Sequence, residues 1–199
     1  MTRSTLLAAV VFALASGTCL AAEPVLKFND KGELARPTDY REWVFLTAGL
    51  GMTYGPNAPR AGQPAPFSNV FVNPDSYREF MQTGKWPNGT MFILEIRGAL
   101  ENVSINNGGR TQGDVVAVEA SVKDTTRFPD GGWAYFGFGG REGLKVEAAP
   151  FPRTESCYGC HSKNAAVEWS FTQFYPQQFE VAKRLGTVRA DYDPNRKLE

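Results

Sequence analysis

Two cysteines stand three positions apart late in the chain, and a histidine follows at once: Cys157-Tyr158-Gly159-Cys160-His161. Two thiols at this spacing suit addition across both vinyl groups of one haem, and the adjacent imidazole then reaches the iron from the same side of the ring. Three other chemistries compete for the pattern. A redox dithiol needs a thiolate poised at a helix N-terminus, and no thioredoxin-like βαβ pattern surrounds this one. Structural zinc takes four side-chain ligands, whereas the chain beyond its N-terminal leader offers two cysteines and one histidine. A disulfide in an oxidising compartment uses the thiols but leaves the adjoining histidine without a role. The pattern therefore reads as one covalently attached haem c, with Cys157 and Cys160 as the attachment points and His161 as the iron ligand.

His161 is the only histidine of the chain, so ligation by two histidines within one subunit is excluded. The sixth iron position is then open, holds water, or takes a methionine, lysine or other group. Met81 falls in a helical stretch and Met91 begins a strand, which makes both core residues by pattern. Met52, in a glycine-rich stretch, is the best axial candidate. A His/Met iron favours electron transfer, because neither ligand has to leave. An open face admits nitric oxide, carbon monoxide, hydroxylamine or peroxide.

The N-terminus reads as a secretion signal over residues 1–22: Arg3 forms a short basic region, Leu6 to Leu14 is mostly apolar, and cleavage falls after Ala21 or Ala22. This places the protein in the periplasm, secreted across the inner membrane. The apolar run is too short for a comfortable membrane span, and no later segment is long and charge-free enough for one. Cys19 leaves with the signal; Thr18 before it disfavours a lipid-modified cysteine. Residues 23–199 suffice for a single haem-binding domain with a real core. Lys and Arg total 21 against 21 Asp and Glu, with no basic run to track a phosphate backbone, so nucleic-acid binding is not expected.

Glu23 to Pro37 is polar and irregular, a strap or loose arm. Thr38 to Leu46 reads as a short helix placing Tyr40, Trp43 and Val44 together, and Gly49, Gly51 and Gly55 end it; Pro56 to Pro66 is a loop by composition. Phe67 to Val72 reads as a strand. A helix starts at Asn73-Pro74-Asp75, covers Tyr77 to Gln82 and stops at Gly84. After the Pro87-Asn88-Gly89 turn, the strand from Met91 to Arg97 puts Phe92, Leu94 and Ile96 on one face, with Ile93, Glu95 and Arg97 on the other. Asn106 to Gly109 turns the chain into a strand over Val115 to Val122, with Val116, Val118, Ala120 and Val122 on one side. Asp130-Gly131-Gly132 leads to an aromatic strand, Trp133 to Phe138. Turns this short imply antiparallel pairing. Ala165 to Tyr175 reads as a helix, and a second starts at Pro176, runs through Gln177 to Leu185 and ends at Gly186. Sheet followed by helix implies an α+β fold, mainly antiparallel sheet with flanking helices on one face or end.

Three segments together resemble the cytochrome P460 family, which includes the β-sheet type of cytochrome c prime. They are Phe67 to Pro74, Gly84-Lys85-Trp86-Pro87-Asn88-Gly89-Thr90, and the haem motif continuing to Phe171-Thr172-Gln173-Phe174-Tyr175-Pro176. The resemblance covers roughly Tyr40 to Leu185. It implies an antiparallel sheet with flanking helices, a homodimer, a proximal histidine and an open face opposite. Members that oxidise hydroxylamine carry a haem-linked lysine on the strand after the Gly-Thr turn; the matching position here is Leu94, and no lysine lies between Thr90 and Arg97. Lys85 precedes the turn and is a poor substitute. Catalytic members also carry a carboxylate four residues past the histidine, where this chain has Ala165; the nearest acid is Glu168. Removing protons from hydroxylamine needs a base. Both departures point to the cytochrome c prime side of the family, whose members bind nitric oxide or carbon monoxide in an apolar pocket.

The expected function is therefore a periplasmic mono-haem c-type cytochrome with five-coordinate iron and a small gaseous or nitrogenous ligand. A hydroxylamine or peroxide oxidoreductase and a His/Met electron carrier with a redox partner protein are the alternatives. Candidates for the ligand pocket are Phe92, Leu94 and Ile96, with Arg97, Glu95 and Arg127 as polar groups near ligand or propionates.

Overall fold

The computed structural model describes residues 24–52 and 65–196. A short strand β1 (Leu34–Ala35) precedes a 3-10 turn at Tyr40–Glu42 and the edge strand β2 (Val44–Leu50). Then come β3 (Phe67–Val72), helix α1 (Pro74–Thr83), β4 (Met91–Leu100), β5 (Thr111–Lys123), β6 (Trp133–Gly140) and two-residue strands β7 (Gly143–Leu144) and β8 (Glu147–Ala148). Helices α2 (Ser156–Asn164) and α3 (Pro176–Leu185) complete the order, with a 3-10 turn at Thr172–Phe174 between them. Strands β2 to β7 form one antiparallel sheet in sequence order, and β1 pairs with β8. The fold is α+β, a mainly antiparallel sheet with flanking helices, as the order of elements implied.

Strand alternation divides the side chains between two cores, one on each face of the sheet. On one face Phe80 of α1, Tyr158 of α2, and Val181 and Ala182 of α3 pack with Val72, Phe92, Trp133 and Tyr135. Trp86 fills the gap beneath α1, stacked on Phe80 at 4.0 Å and edge-on to Phe92 at 4.7 Å. A fully buried side chain of this size contributes about 2–3 kcal/mol of hydrophobic stabilisation. On the other face Met91, Ile93, Val118, Ala120, Val122, Phe136 and Phe138 are covered by Leu34, Tyr40 and Ala148, with Val25, Leu26 and Phe28 against them. The stretch from Pro24 to Ala35 is thus a strap with an apolar underside.

Several expected elements appear as read. β3 spans Phe67–Val72, α1 has Pro74 in its first turn and ends at Gly84 in the left-handed region, and α3 begins at Pro176 and ends at Gly186 in the same way. Two expected helices are absent. Residues 38–46 make one 3-10 turn and then β2, because Val44 and Phe45 pair with Val72 and Phe71 of β3, with a register shift at Leu46. Ala165 to Tyr175 is a turn and a 3-10 segment; the helix lies earlier, over the cysteine motif itself, and stops where Ala165 turns extended and Glu168 takes φ +52°. A bulge at Val116 of β5, opposite the Ile96–Arg97 step of β4, sets Val115 opposite Arg97, so Val115, not Val116, joins the core. Gly55 and nearly all of the proline-rich stretch 56–66 fall outside the described residues, as do the proposed signal and Cys19. Among the described residues no helix is long and apolar enough to cross a membrane.

Candidate functional site

In α2 the positions i, i+3 and i+4 share one side of the helix, so Cys157, Cys160 and His161 face the same way. They form one wall of a cleft of about 270 Å³ whose floor is the helix-side face of the sheet. One cross-strand row of that floor runs Thr47, Val70, Leu94, Glu119 and Gly137, each opposite the next. The next row toward the helices includes Val72, Phe92, Ser121 and Tyr135. Phe151, Phe171, Phe174 and Tyr175 close the sides, and Met52 borders the cleft beyond β2. Its sulfur occupies the space over Gly49, only 2.2 Å from where a β-carbon there would sit.

The imidazole of His161 is held between Tyr135 and Phe171, with ring centroids 4.4 and 4.2 Å away. Its Nδ1 lies 2.8 Å from the carbonyl oxygen of Trp169. A carbonyl only accepts, so Nδ1 carries the proton and the lone pair sits on Nε2. Burial depresses the imidazole pKa to about 4, against a smaller opposing effect of the Trp169 hydrogen bond. The ring is therefore neutral at physiological pH with Nε2 as its basic atom, the form in which imidazole binds a metal.

Both cysteines are free thiols. Burial, and then the negative charge of Glu119, push the Cys157 thiol above its ordinary pKa. That is opposite to the depressed value a dithiol oxidoreductase requires. Among the described residues no three His, Cys, Asp or Glu side chains gather as a metal-ion cluster. The donor set is two thiols and one imidazole, on one helix face, against a largely apolar cleft.

The sequence-derived pocket residues divide. Phe92 and Leu94 line the cleft. Ile96 is on their face of β4, half-buried, but farther along the strand and not part of the lining. Arg97 is on the opposite face, donating to Glu95 at 3.2 Å and to the Gly113 carbonyl at 2.8 Å. Arg127 sits in the β5–β6 turn, its guanidinium 4.1 Å over the Phe28 ring, away from the cleft. Neither arginine reaches the site: strand alternation removes the first and the turn removes the second. Glu95 is buried on that same opposite face, and Lys85 is exposed. Met91 is fully buried in the opposite core, and Met81 packs on the helix side near Gln178. Ala165 is buried at the end of α2, and Glu168 pairs with Lys123.

Sequence reasoning missed Glu119. The expectation of a site without a nearby carboxylate is corrected: Glu119 lies in the floor beside Leu94, and burial raises its pKa. The signal was present in the alternation of β5, where Glu119 and Ser121 occupy the register opposite Val118 and Ala120.

The turn carrying Trp169 packs closely on the sheet. A β-carbon at Gly131 would fall 2.2 Å from the Trp169 ring, and Gly131 has φ +84°. Gly131→Ala is expected to cost about 2–4 kcal/mol from overpacking and left-handed backbone strain, and to displace the carbonyl that orients His161. Thermal unfolding of the purified variant checks this, and a midpoint equal to that of the parent would refute the contact.

The fold and site together define an antiparallel-sheet protein whose helix-side cleft is fronted by a Cys-x-x-Cys-His helix. The chain belongs to the cytochrome P460 family, whose model matches residues 37–172. No curated protein matches it. The family implies a haem, and the residues present fit one: largely apolar walls, with two thiols and a neutral imidazole, its lone pair on Nε2, on one face of α2.

Proposed function

We propose that the mature chain is a periplasmic mono-haem c-type cytochrome that binds a small ligand such as nitric oxide or carbon monoxide. The observation that carries this reading is the single face of α2 presenting Cys157, Cys160 and His161 to an apolar cleft. Cys157 and Cys160 would hold the haem, each thiol adding across one vinyl group, its sulfur to one carbon and its hydrogen to the next, so that attachment would need no net oxidant. His161 Nε2 is the iron ligand. A bound haem would supply an iron able to take a small exogenous ligand.

The chain's own residues supply selection and protection. Val70, Phe92 and Leu94 line the floor with hydrocarbon between Thr47, Ser121 and Glu119, which suits an uncharged diatomic and disfavours anions. Trp169 holds the Nδ1 proton and so fixes the tautomer. Leu94, where a cross-linking lysine would stand, keeps this wall hydrocarbon.

One observation favours a second reading, a hydroxylamine or peroxide oxidoreductase: the Glu119 carboxylate in the cleft floor, with a pKa raised by burial, is suited to accept a proton from a bound substrate. Met52 at the cleft border supports a third, His/Met electron carrier with a protein redox partner. A homodimer is part of the proposal. Phe45 and Leu50 on edge strand β2 are 53% and 55% exposed, and Leu100 is 45% exposed, which leaves apolar surface for a second copy.

An optical titration with dithionite, carbon monoxide and hydroxylamine separates the readings. The reduced protein is expected to be high-spin, to shift promptly on adding carbon monoxide, and not to turn over hydroxylamine. A low-spin reduced spectrum unmoved by carbon monoxide rejects the gas-binding reading in favour of Met52 ligation. Sustained hydroxylamine oxidation that Glu119→Gln abolishes establishes the second reading instead.

A further inference from the structure

We infer that Lys123 and Glu168 are positioning residues for His161, their ion pair holding the strained turn whose Trp169 carbonyl accepts the hydrogen bond from the imidazole Nδ1. The inference deepens the haem reading and rests on it.

Val167 to Ser170 form a tight reversal, with the Ser170 amide donating to the Val167 carbonyl at 2.9 Å. Glu168 and Trp169 are its two corner residues. Glu168 has φ +52°, a region that long side chains disfavour. The other described non-glycine residues with positive φ, Asn102 and Ser104, are small polar residues in the exposed loop between β4 and β5. A glutamate in that backbone state persists only where its surroundings hold it, and two anchors do so.

The first anchor is the sheet. Lys123, the last residue of β5, donates from Nζ to both carboxylate oxygens of Glu168 at 2.8 and 2.7 Å, and to the Trp86 carbonyl at 2.5 Å. The two side chains are only 14% and 28% exposed, so solvent screens the pair weakly. The second anchor is Arg189, which donates to the carbonyls of Glu168 at 3.3 Å and Ala165 at 3.5 Å, and also to that of Ser162. The turn is clamped from both sides, and the next carbonyl along it is the one 2.8 Å from His161 Nδ1.

A hydrogen bond from the non-ligating nitrogen raises the electron donation of an imidazole to its metal and fixes the ring's rotation. Holding Trp169 in place therefore tunes the iron through a chain of contacts that begins in a rigid strand. Neither Lys123 nor Glu168 lines the cleft, so their effect travels through Trp169 alone.

The test uses haem-loaded mature protein in four forms: the parent, Glu168→Gln, Lys123→Met and Lys123→Arg. Resonance Raman of the ferrous state reads the iron–imidazole stretch, and a redox titration reads the midpoint. Glu168→Gln and Lys123→Met are expected to lower the stretching frequency and raise the midpoint potential, since a weaker donor stabilises ferric iron less. Lys123→Arg, which keeps the charge, is expected to match the parent. If both quantities stay at parental values in Glu168→Gln and Lys123→Met, whatever their melting temperatures, the pair is only structural and the inference is overturned. Parent protein without covalent porphyrin would instead remove the haem reading itself.

Discussion

Replacing Cys157 and Cys160 together by serine is expected to abolish covalent haem: after denaturing electrophoresis the parent retains peroxidase-active haem stain and the double variant has none. The loss is complete because only thiols make the thioether linkage, and these two are the cysteines of the chain outside the proposed signal. The variant should still fold. Both residues are half-buried, serine fits the smaller volume, and α2 keeps Tyr158 in the core with its hydroxyl donating to the Phe151 carbonyl at 3.0 Å. Each single variant is expected to retain one linkage and show a pyridine haemochrome band shifted toward that of haem with one unsaturated vinyl group. Stain persisting in the double variant would mean that attachment, if any, runs through another side chain.

The second large effect is on stability and lies on the opposite face of the sheet. Glu95 is 2% exposed and accepts hydrogen bonds from the Tyr40 hydroxyl at 2.5 Å, from Arg97 at 3.2 Å and from Arg41. Burial on its own would raise the Glu95 pKa, but the bonds from Tyr40, Arg41 and Arg97 together outweigh it and hold the carboxyl below its ordinary value. The same contact, with burial the larger cause, pushes Tyr40 up to about 12. Glu95→Ala removes the acceptor of the buried Tyr40 hydroxyl and of the half-buried Arg97 and exposed Arg41 guanidinia, a loss of about 3 kcal/mol, at the low end for a broken buried pair because Arg41 rehydrates. That is a large share of the roughly 5–15 kcal/mol that keeps a domain folded. The pH dependence follows with its sign. The folded pKa is below the unfolded one, so the unfolded chain binds more protons as pH falls through the carboxylate range. The stabilisation is complete above the ordinary value of 4.5 and lost progressively below it. Urea unfolding from pH 7 down to pH 3 checks both points: Glu95→Ala should be weaker at neutral pH and should lack this part of the acid loss. Equal stability of parent and variant at pH 7 would show the cluster to be dispensable.

Much of this architecture was legible in local chemistry. Pro74 and Pro176 mark first helical turns and Gly84 and Gly186 mark the stops, because each does what its neighbours' backbones need there. The motif Cys157 to His161 was legible for the same reason, since its spacing is itself the chemistry. What failed was decided by distant pairing. Val44 to Leu46 fit a short amphipathic helix as well as a strand, and only the presence of β3 beside them selects the strand. Glu119 escapes the sequence reading because that reading follows only the side of β5 carrying Val118, Ala120 and Val122. The sheet is covered on both sides, so the polar register of β5 also faces an enclosed site. Arg97 and Arg127 were attractive as charges near a propionate, yet one is on the wrong face and the other stacks on Phe28.

The central claim is that iron is held by the His161 imidazole with no protein side chain opposite. Iron K-edge X-ray absorption of the reduced, ligand-free mature protein tests it most directly. The account predicts a first shell of the porphyrin nitrogens and one imidazole nitrogen, with the remaining position vacant. A sulfur at bonding distance, which in this cleft means Met52, would contradict it.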